Sequence, residues 1–176
     1  NESCCITSRL ASTRLNSKTF SVNPNYLTSM LQNIENVDTP FLWVDLDRME
    51  ENIASLSAYF RERQLNWRPH TKGIKIPEIS KMAIEAGASG ITCAKLSEAE
   101  IMAESGIGNI LIANQVVGTS KLERLCNLAE KIQVIVAVDD YGIAVQMANA
   151  AKLKHVSIGV LVEVNVGMDR AGVDPG

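Results

Sequence analysis

The residue in this sequence best suited to covalent chemistry is Lys72, in the segment NWRPHTKGIKIPEI. A short strand-like run precedes it, and Gly73 follows it directly. A lysine in a loop is most often a solvated side chain. A lysine at a strand end, partly shielded from water, can instead expose a neutral amine that condenses with a carbonyl group. The elements around Lys72 decide between these two interpretations.

Composition excludes several classes of function. The 176 residues are 46% hydrophobic, which is enough for an ordinary globular core. The net charge of −3 gives no basic surface for nucleic acid or for an anionic membrane. No apolar run reaches the roughly 18 residues of a membrane span. The four cysteines form neither a disulfide framework nor a CxxC metal motif, which predicts a reducing, cytoplasmic location.

The beginning of the chain differs in texture from the rest. Residues 1–38 are predicted to be an N-terminal extension, partly disordered, and residues 39–176 the α/β domain. The first part of the extension is rich in Ser, Thr and Asn and poor in acids, as are organelle transit peptides and disordered termini alike. The spacing of Tyr26, Met30 and Ile34 predicts one short amphipathic helix.

From Thr39 onward, strand and helix patterns alternate, which predicts a parallel sheet covered by helices. The predicted strands are FLWVDL, NWRPHTK, ITCAK, ILIAN, VIVAVD and SIGVLVEVNVG. Capping-box spacing predicts helix starts at Asp47 (with Glu50) and Ser97 (with Glu100). A doubly wound sheet and a (β/α)8 barrel both fit this pattern. A barrel usually needs about 250 residues, so a barrel here would stop before it closes.

Polar side chains collect near the C-terminal ends of these strands, where parallel α/β proteins bind ligands. In the last strand, alternation places its valines toward the helices and its polar residues on the opposite face. The valines are Val160, Val162, Val164 and Val166, and the residues of opposite parity are Leu161, Glu163 and Asn165. The same parity argument groups Arg68, His70 and Lys72.

Several of these polar residues also have an ordinary structural interpretation. His70 can be a hydrogen-bonded structural histidine, and Gln115 can satisfy loop backbone. Asp139 or Asp140 can cap the next helix. Glu163 can pair with a lysine such as Lys95.

Five segments together resemble the D-threonine aldolase and D-serine dehydratase family. They are TPFLWVDLDRMEENI, RPHTKGIKIPEI, GITCAKLSEAEIM, ILIANQVVG and VEVNVGMDRAGV, in order from Thr39 to near the end of the chain. The resemblance implies an α/β fold of the alanine-racemase-like type. This chain would be a partial TIM-type barrel, truncated before closure and without the family's C-terminal β domain.

The resemblance also implies a pyridoxal 5'-phosphate site. The lysine of the family's R-P-H-x-K segment, here Lys72, forms the covalent bond to the cofactor. The arginine of G-M-x-R-x-G, here Arg170, contacts the phenolic oxygen of its ring. With these go His70, Gln115 and Asn165 as cofactor-binding candidates. Members of the family commonly continue with T-H-K, where this chain has Gly73-Ile74-Lys75; Lys75 is therefore a rival for the covalent bond.

The implied activity is a lyase acting on D-β-hydroxy amino acids, of the D-threonine aldolase type, yielding glycine and an aldehyde. The alternatives are a D-serine or D-3-hydroxyaspartate dehydratase, an amino-acid racemase, a non-catalytic cofactor-carrying barrel and an isolated α/β binding domain. The resemblance further implies a divalent metal, with ligands beyond this chain, and a possible homodimer. We expect the 176 residues alone to be inactive, since the metal ligands and phosphate loop would lie outside them.

Overall fold

The computed structural model describes Cys5–Ser8, residues 38–40 and residues 42–175. These residues fall into two compact units, divided between Leu56 and Ser57. The helix predicted around Met30 lies outside the described residues. The proposed boundary between residues 38 and 39 stays a prediction.

In the first unit, strands β1 (Cys5–Ser8) and β2 (Leu42–Asp45) pair in parallel, with Cys5 opposite Leu42. The sequence patterns did not indicate β1. Helix α1 (Leu46–Glu62) follows β2 directly. The Asp45 carboxylate accepts a hydrogen bond from the Arg48 N–H at 3.1 Å, as a capping side chain does. The predicted start at Asp47 is therefore wrong: the helix begins earlier, and Asp47 lies in its first turn.

From Pro77 onward, the second unit alternates helices and strands in the predicted order. Its elements are α2 (Pro77–Glu85), β3 (Ile91–Cys93), α3 (Leu96–Glu104), β4 (Asn109–Ile112), α4 (Thr119–Ala129), β5 (Gln133–Val138), α5 (Tyr141–Lys154) and β6 (Gly159–Val162). The predicted strand NWRPHTK is not a strand in the structure and contributes only an isolated bridge, at His70. No helix among the described residues is both long and apolar enough to cross a membrane.

The four strands form one parallel sheet in the order β3-β4-β5-β6. Each strand lies beside its predecessor, as in a barrel, whereas the strand order of a doubly wound sheet reverses at a switch point. The parallel α/β fold is confirmed, and this order favours the barrel alternative.

One face of the sheet carries the hydrophobic core against the helices. Alternate strand residues such as Ile110, Ile112 and Val136 are fully buried there, together with Leu125 and Met147 from α4 and α5. Register places Val160 beside Val136 and Val162 beside Val138, so the valines of β6 have the predicted parity. Within the described residues nothing covers them: Val160 is 48% and Val162 66% exposed.

The start of α3 differs from the capping-box prediction. Ser97 lies inside the helix rather than before it. Glu98, not Glu100, bends back, and its Oε2 accepts a hydrogen bond from the Ala94 N–H at 2.9 Å. A carboxylate in this position also interacts favourably with the positive end of the helix dipole. The N-cap residue of the helix is Lys95, so the predicted box, with Ser97 and Glu100, lies two residues too late.

Candidate cofactor site

The segment leading to Lys72 runs beside β3. His70 forms a parallel bridge with Thr92. The Thr71 N–H donates to the Thr92 carbonyl, and the Thr92 N–H donates to the Pro69 carbonyl, each at 2.8 Å. The buried Thr71 hydroxyl also donates to the Thr92 carbonyl at 3.0 Å. The backbone before Lys72 is therefore held as firmly as a short strand.

Burial along this segment alternates as the parity argument predicts. Trp67 and Thr71 are buried, whereas His70 and Lys72 are exposed. The Thr71 hydroxyl lies 3.6 Å from Sγ of Cys93, which is fully buried on the helix side of β3. His70 and Lys72 therefore project from the opposite face of the sheet.

The neighbours at the level of Lys72 are small. Continuing the register from the His70–Thr92 bridge places Lys72 beside Ala94, Ala94 beside Ala113, and Ala113 beside Ala137. Because each side chain ends at Cβ, this row of three alanines projects little volume from the sheet face. A flat ring attached to Lys72 would find room above them.

Lys72 itself begins a turn. Its backbone N–H donates to Nδ1 of His70 at 3.2 Å. Within the described part of the chain, its side-chain amine has no hydrogen bond or ion pair. The sequence argument expected the amine to be partly desolvated, but Lys72 is exposed. The reason is that the described residues leave its sheet face open, with Ala113 exposed and Leu161 50% exposed at the same level.

The rival lysine has a partner. Nζ of Lys75 lies 3.1 Å from Oε1 of Glu98, whose side chain is only 11% exposed. Burial alone would raise the pKa of Glu98, but the Ala94 N–H and the Lys75 ammonium outweigh it, so the pKa is lowered. Glu98 is therefore ionised at neutral pH and paired with Lys75.

His70 accepts the Lys72 N–H through Nδ1, so its imidazole helps to shape the turn. Partial desolvation and the nearby Lys72 cation lower the pKa of His70, and they outweigh the opposite effects of Glu98 and of the Thr92 backbone. A neutral imidazole at pH 7 follows. The structural interpretation of His70 accounts for these contacts, and its contact with a cofactor stays a prediction.

At the C-terminal ends of β4, β5 and β6, three polar side chains form one network. The Gln115 amide donates from Nε2 to Oδ2 of Asp139 at 2.9 Å and to Oε2 of Glu163 at 2.7 Å. Glu163 thus pairs with Gln115, and no ion pair joins it to Lys95 within the described ranges. Asp140, not Asp139, caps α5 by accepting the Ile143 N–H at 2.8 Å.

The segment that carries Arg170 is fastened to this network. Oδ2 of Asp139 accepts the Gly172 N–H at 3.4 Å, and Val164 forms a bridge with Val173. Asn165 shapes the loop from within, because its Oδ1 accepts the backbone N–H groups of Gly167 and Asp169. The loop therefore has a defined shape at the same sheet edge as Lys72.

Arg170 is exposed, and in the described structure its guanidinium has no hydrogen bond or ion pair. The amides of Gln115 and Asn165 already have protein partners. No described contact tests whether any of these three binds a cofactor.

Arg68 lies at the other end of the sheet despite its shared parity. Its Nη1 donates to the carbonyls of Ile91, at 3.4 Å, and Asn109, at 3.3 Å, near the N-terminal ends of β3 and β4. Arg68 is therefore separate from the edge that carries Lys72. Sequence reasoning also missed Thr71 and Glu98; the only available signal for Glu98 was an acid in a first helical turn.

The described residues contain no group of three or more His, Cys, Asp or Glu placed to hold a metal ion. Cys93 and Cys126 are buried and free, and Cys93 has the core position that the sequence predicted.

Comparison with known proteins places this arrangement among its relatives. Residues 44–176 match the family model "Alanine racemase, N-terminal domain". The chain is 41% identical over 137 residues to the D-threonine aldolase of Arthrobacter sp, and 34% identical over 139 residues to the 3-hydroxy-D-aspartate aldolase of Paracoccus denitrificans. Each alignment covers 78% of this chain and 36% of the relative.

Two solved structures are also similar. The crystal structure of D-threonine aldolase from Filomicrobium marinum superposes with a TM-score of 0.78 at 41% identity, over 81% of this chain and 39% of that one. D-threo-3-hydroxyaspartate dehydratase from Delftia sp. HT23 gives a TM-score of 0.70 at 30% identity, over 78% of this chain and 36% of that one. The chain thus spans a little over a third of the length of the relatives it matches.

Proposed function

Since this chain belongs to the alanine racemase N-terminal domain family, we propose that it forms the pyridoxal-phosphate-binding part of a lyase acting on D-β-hydroxy amino acids. The single observation that carries the proposal is the contrast between two lysines on one turn. Lys72 has an amine without a partner in the described structure, at the end of a row of three alanines, whereas Lys75 is paired with Glu98.

The residues present fit pyridoxal phosphate. An unpartnered amine can bond to the aldehyde carbon. The alanines beside Lys72 leave space for the ring. The exposed guanidinium of Arg170, on a loop fixed at the same sheet edge, is permanently cationic and can face an anionic oxygen. We therefore assign Lys72 the covalent bond and Arg170 the phenolic oxygen.

When bound, the cofactor supplies an electron sink for the bond that breaks at Cα of the amino acid. The remaining work belongs to this chain's own residues. Lys72 would hold the aldehyde carbon of the cofactor through Nζ, and His70 fixes the backbone of Lys72 through Nδ1. Asp139 and Asn165 hold the loop that carries Arg170. Gln115 joins Asp139 to Glu163, which lies directly after the end of β6.

Retro-aldol cleavage of D-threonine to glycine and an aldehyde is the reaction we favour. Its support is the higher identity to D-threonine aldolases, 41%, than to the Delftia dehydratase, 30%. Dehydration of a D-β-hydroxy amino acid such as D-3-hydroxyaspartate is the second candidate. The described residues offer no ligand set for the implied divalent metal, so we assign it no ligand and derive no step through it.

The proposal is tested first by cofactor retention. The protein is equilibrated with pyridoxal phosphate, desalted and analysed by absorbance. Wild-type protein and Lys75→Ala should retain the cofactor, and Lys72→Ala should lose it. Retention by Lys72→Ala together with loss by Lys75→Ala would transfer the assignment to Lys75.

The reaction class is tested by product analysis in a preparation that turns over substrate. With D-threonine, glycine and acetaldehyde indicate the aldolase, whereas 2-oxobutanoate and ammonia indicate the dehydratase. A cytoplasmic location and a homodimer are further parts of the proposal. Size-exclusion chromatography with light scattering tests the dimer directly.

A further inference from the structure

Two lysines share one turn in this chain, and both could in principle capture an aldehyde. Lys72 and Lys75 are both exposed and lie three residues apart. The Lys75 N–H and the Ile74 N–H both donate to the Thr71 carbonyl, at 2.8 and 3.1 Å, so the two lysines belong to one compact loop. Accessibility alone does not choose between them.

The environments of the two amines differ through one residue. Glu98 uses both carboxylate oxygens: Oε1 pairs with Nζ of Lys75 at 3.1 Å, and Oε2 accepts the Ala94 N–H at 2.9 Å. The Glu98 side chain is only 11% exposed. Its position is fixed by the bond to the Ala94 N–H at the start of α3. The backbone of Lys75 has φ of +57°, in the left-handed region that non-glycine residues seldom adopt.

The chemistry of capture explains why this pair matters. The lone pair of a neutral amine attacks the aldehyde carbon. A carbon–nitrogen double bond then replaces the carbon–oxygen double bond, and the carbonyl oxygen leaves as water with the two amine hydrogens. An ammonium that donates to a carboxylate has no lone pair to offer. Each lysine must lose a proton before it can react. Lys75 must also give up its ion pair with Glu98, whereas Lys72 has no such contact in the described structure.

We propose that Glu98 determines which lysine captures pyridoxal phosphate, by holding Lys75 in an ion pair and leaving Lys72 to react. The inference rests on the proposed function. Glu98 acts through Lys75 and does not itself touch the cofactor in this scheme; it is a positioning residue that sets specificity between two nucleophiles. Nothing else in the described part of the chain pairs with Nζ of Lys75.

The test measures where the cofactor becomes attached. Protein is mixed with pyridoxal phosphate, reduced with borohydride and digested, and the labelled peptides are quantified by mass spectrometry. Wild type should carry the label mainly on Lys72. In Glu98→Gln the ratio of Lys75 to Lys72 label should rise about fivefold, the size expected for loss of one partly exposed ion pair.

Matched variants separate selection from loosening of the fold. Glu100→Gln removes an ion pair on the same helix, to Arg124, and should leave the ratio unchanged. Glu98→Asp keeps the charge and should return the ratio toward the wild-type value. In protein that already carries Lys72→Ala, adding Glu98→Gln should raise the amount of label on Lys75 by about the same factor. This measurement follows Lys75 alone and does not depend on the label at Lys72.

The outcomes distinguish the inference from the function beneath it. A wild-type label mainly on Lys75 would overturn the assignment of Lys72 and the inference with it. A label on Lys72 whose distribution does not change in Glu98→Gln would overturn the inference alone and leave the proposed function standing. An equal rise in Glu100→Gln would also overturn it, because general loosening would then explain the shift.

Discussion

Asp139 and Asp140 are neighbours with different tasks. Asp140 accepts the Ile143 N–H at the start of α5, and Asp139 joins Gln115 to the Gly172 loop. Sequence position predicted that one of them caps the helix, because an aspartate directly before a helical pattern is a common N-cap. The sequence could not identify Gln115 as the partner of Asp139, since that contact joins residues 24 positions apart.

The first prediction separates the two aspartates. Asp140→Ala should lower the free energy of unfolding by about 1 kcal/mol, the usual loss for an N-cap, as measured by urea denaturation. In Asp140→Ala, the backbone amide of Gly172 should exchange hydrogen at the wild-type rate, because its acceptor, Asp139, is unchanged. Asp139→Ala should instead accelerate exchange at Gly172, because that N–H loses its acceptor. Faster exchange at Gly172 in both variants would argue against separate roles.

The second prediction concerns Glu98 and pH. The pKa of Glu98 is lower in the folded protein than the ordinary value of 4.5, with burial opposing and the Ala94 N–H and Lys75 lowering it. A carboxyl group of this kind stabilises the fold above its unfolded pKa, and the contribution disappears as pH falls through the folded pKa. Wild type should therefore exceed Glu98→Gln in stability at pH 7, and the difference should shrink below pH 4.5.

Urea denaturation of wild type and Glu98→Gln, from pH 7 to below pH 4.5, measures the difference in unfolding free energy. Glutamine can still accept the Ala94 N–H, so the comparison isolates the charge. A difference in unfolding free energy that stays constant, or grows toward acid pH, would contradict the ion pair's contribution.

At the scale of elements, hydrophobic periodicity predicted the second unit well. Each helix and strand from Pro77 to Val162 overlaps the segment that alternation and glycine positions indicated. The last strand was predicted to continue to Gly167, but β6 ends at Val162. Helix starts were less predictable, as Asp47 and Ser97 illustrate. Capping spacing marks several possible starts within one turn, and only the tertiary position of the preceding strand selects one of them.

The third prediction tests the entry into β3. Gly90 has φ of +148°, and a Cβ there would collide with the Arg68 guanidinium and the Asn109 carbonyl. Gly90→Ala should destabilise the fold by more than about 1 kcal/mol, since both backbone conformation and space oppose it. Gly108→Ala is the matched control, because nothing lies within 4 Å of the added atom. Equal melting temperatures for the two variants would contradict this account of β3.

At the scale of the whole molecule, the strand order β3-β4-β5-β6 brings Gln115, Asp139 and Glu163 to one edge. Sequence could predict that these residues share an edge, because the strands are parallel. It could not predict the exposure of Lys72, which depends on what covers the opposite face of the sheet. Arg68 is a different case: it precedes Lys72 by four residues on an extended segment, so its place at the opposite end of the sheet follows from the sequence.

The fourth prediction concerns catalysis by these 176 residues alone. The chain covers 36% of the D-threonine aldolase it matches, and its described residues include no cluster of metal ligands. We expect no measurable release of glycine from D-threonine with pyridoxal phosphate and a divalent metal present. Robust turnover by a purified polypeptide of this length would contradict that expectation without touching the cofactor assignment.

The most direct test of the central claim is a crystal structure of this protein grown with pyridoxal phosphate. Electron density should run without a break from Nζ of Lys72 to the cofactor, with the ring over Ala94 and Ala113 and with Arg170 at its phenolic oxygen. Density joined to Lys75, or a cofactor bound on another face of the sheet, would contradict the claim.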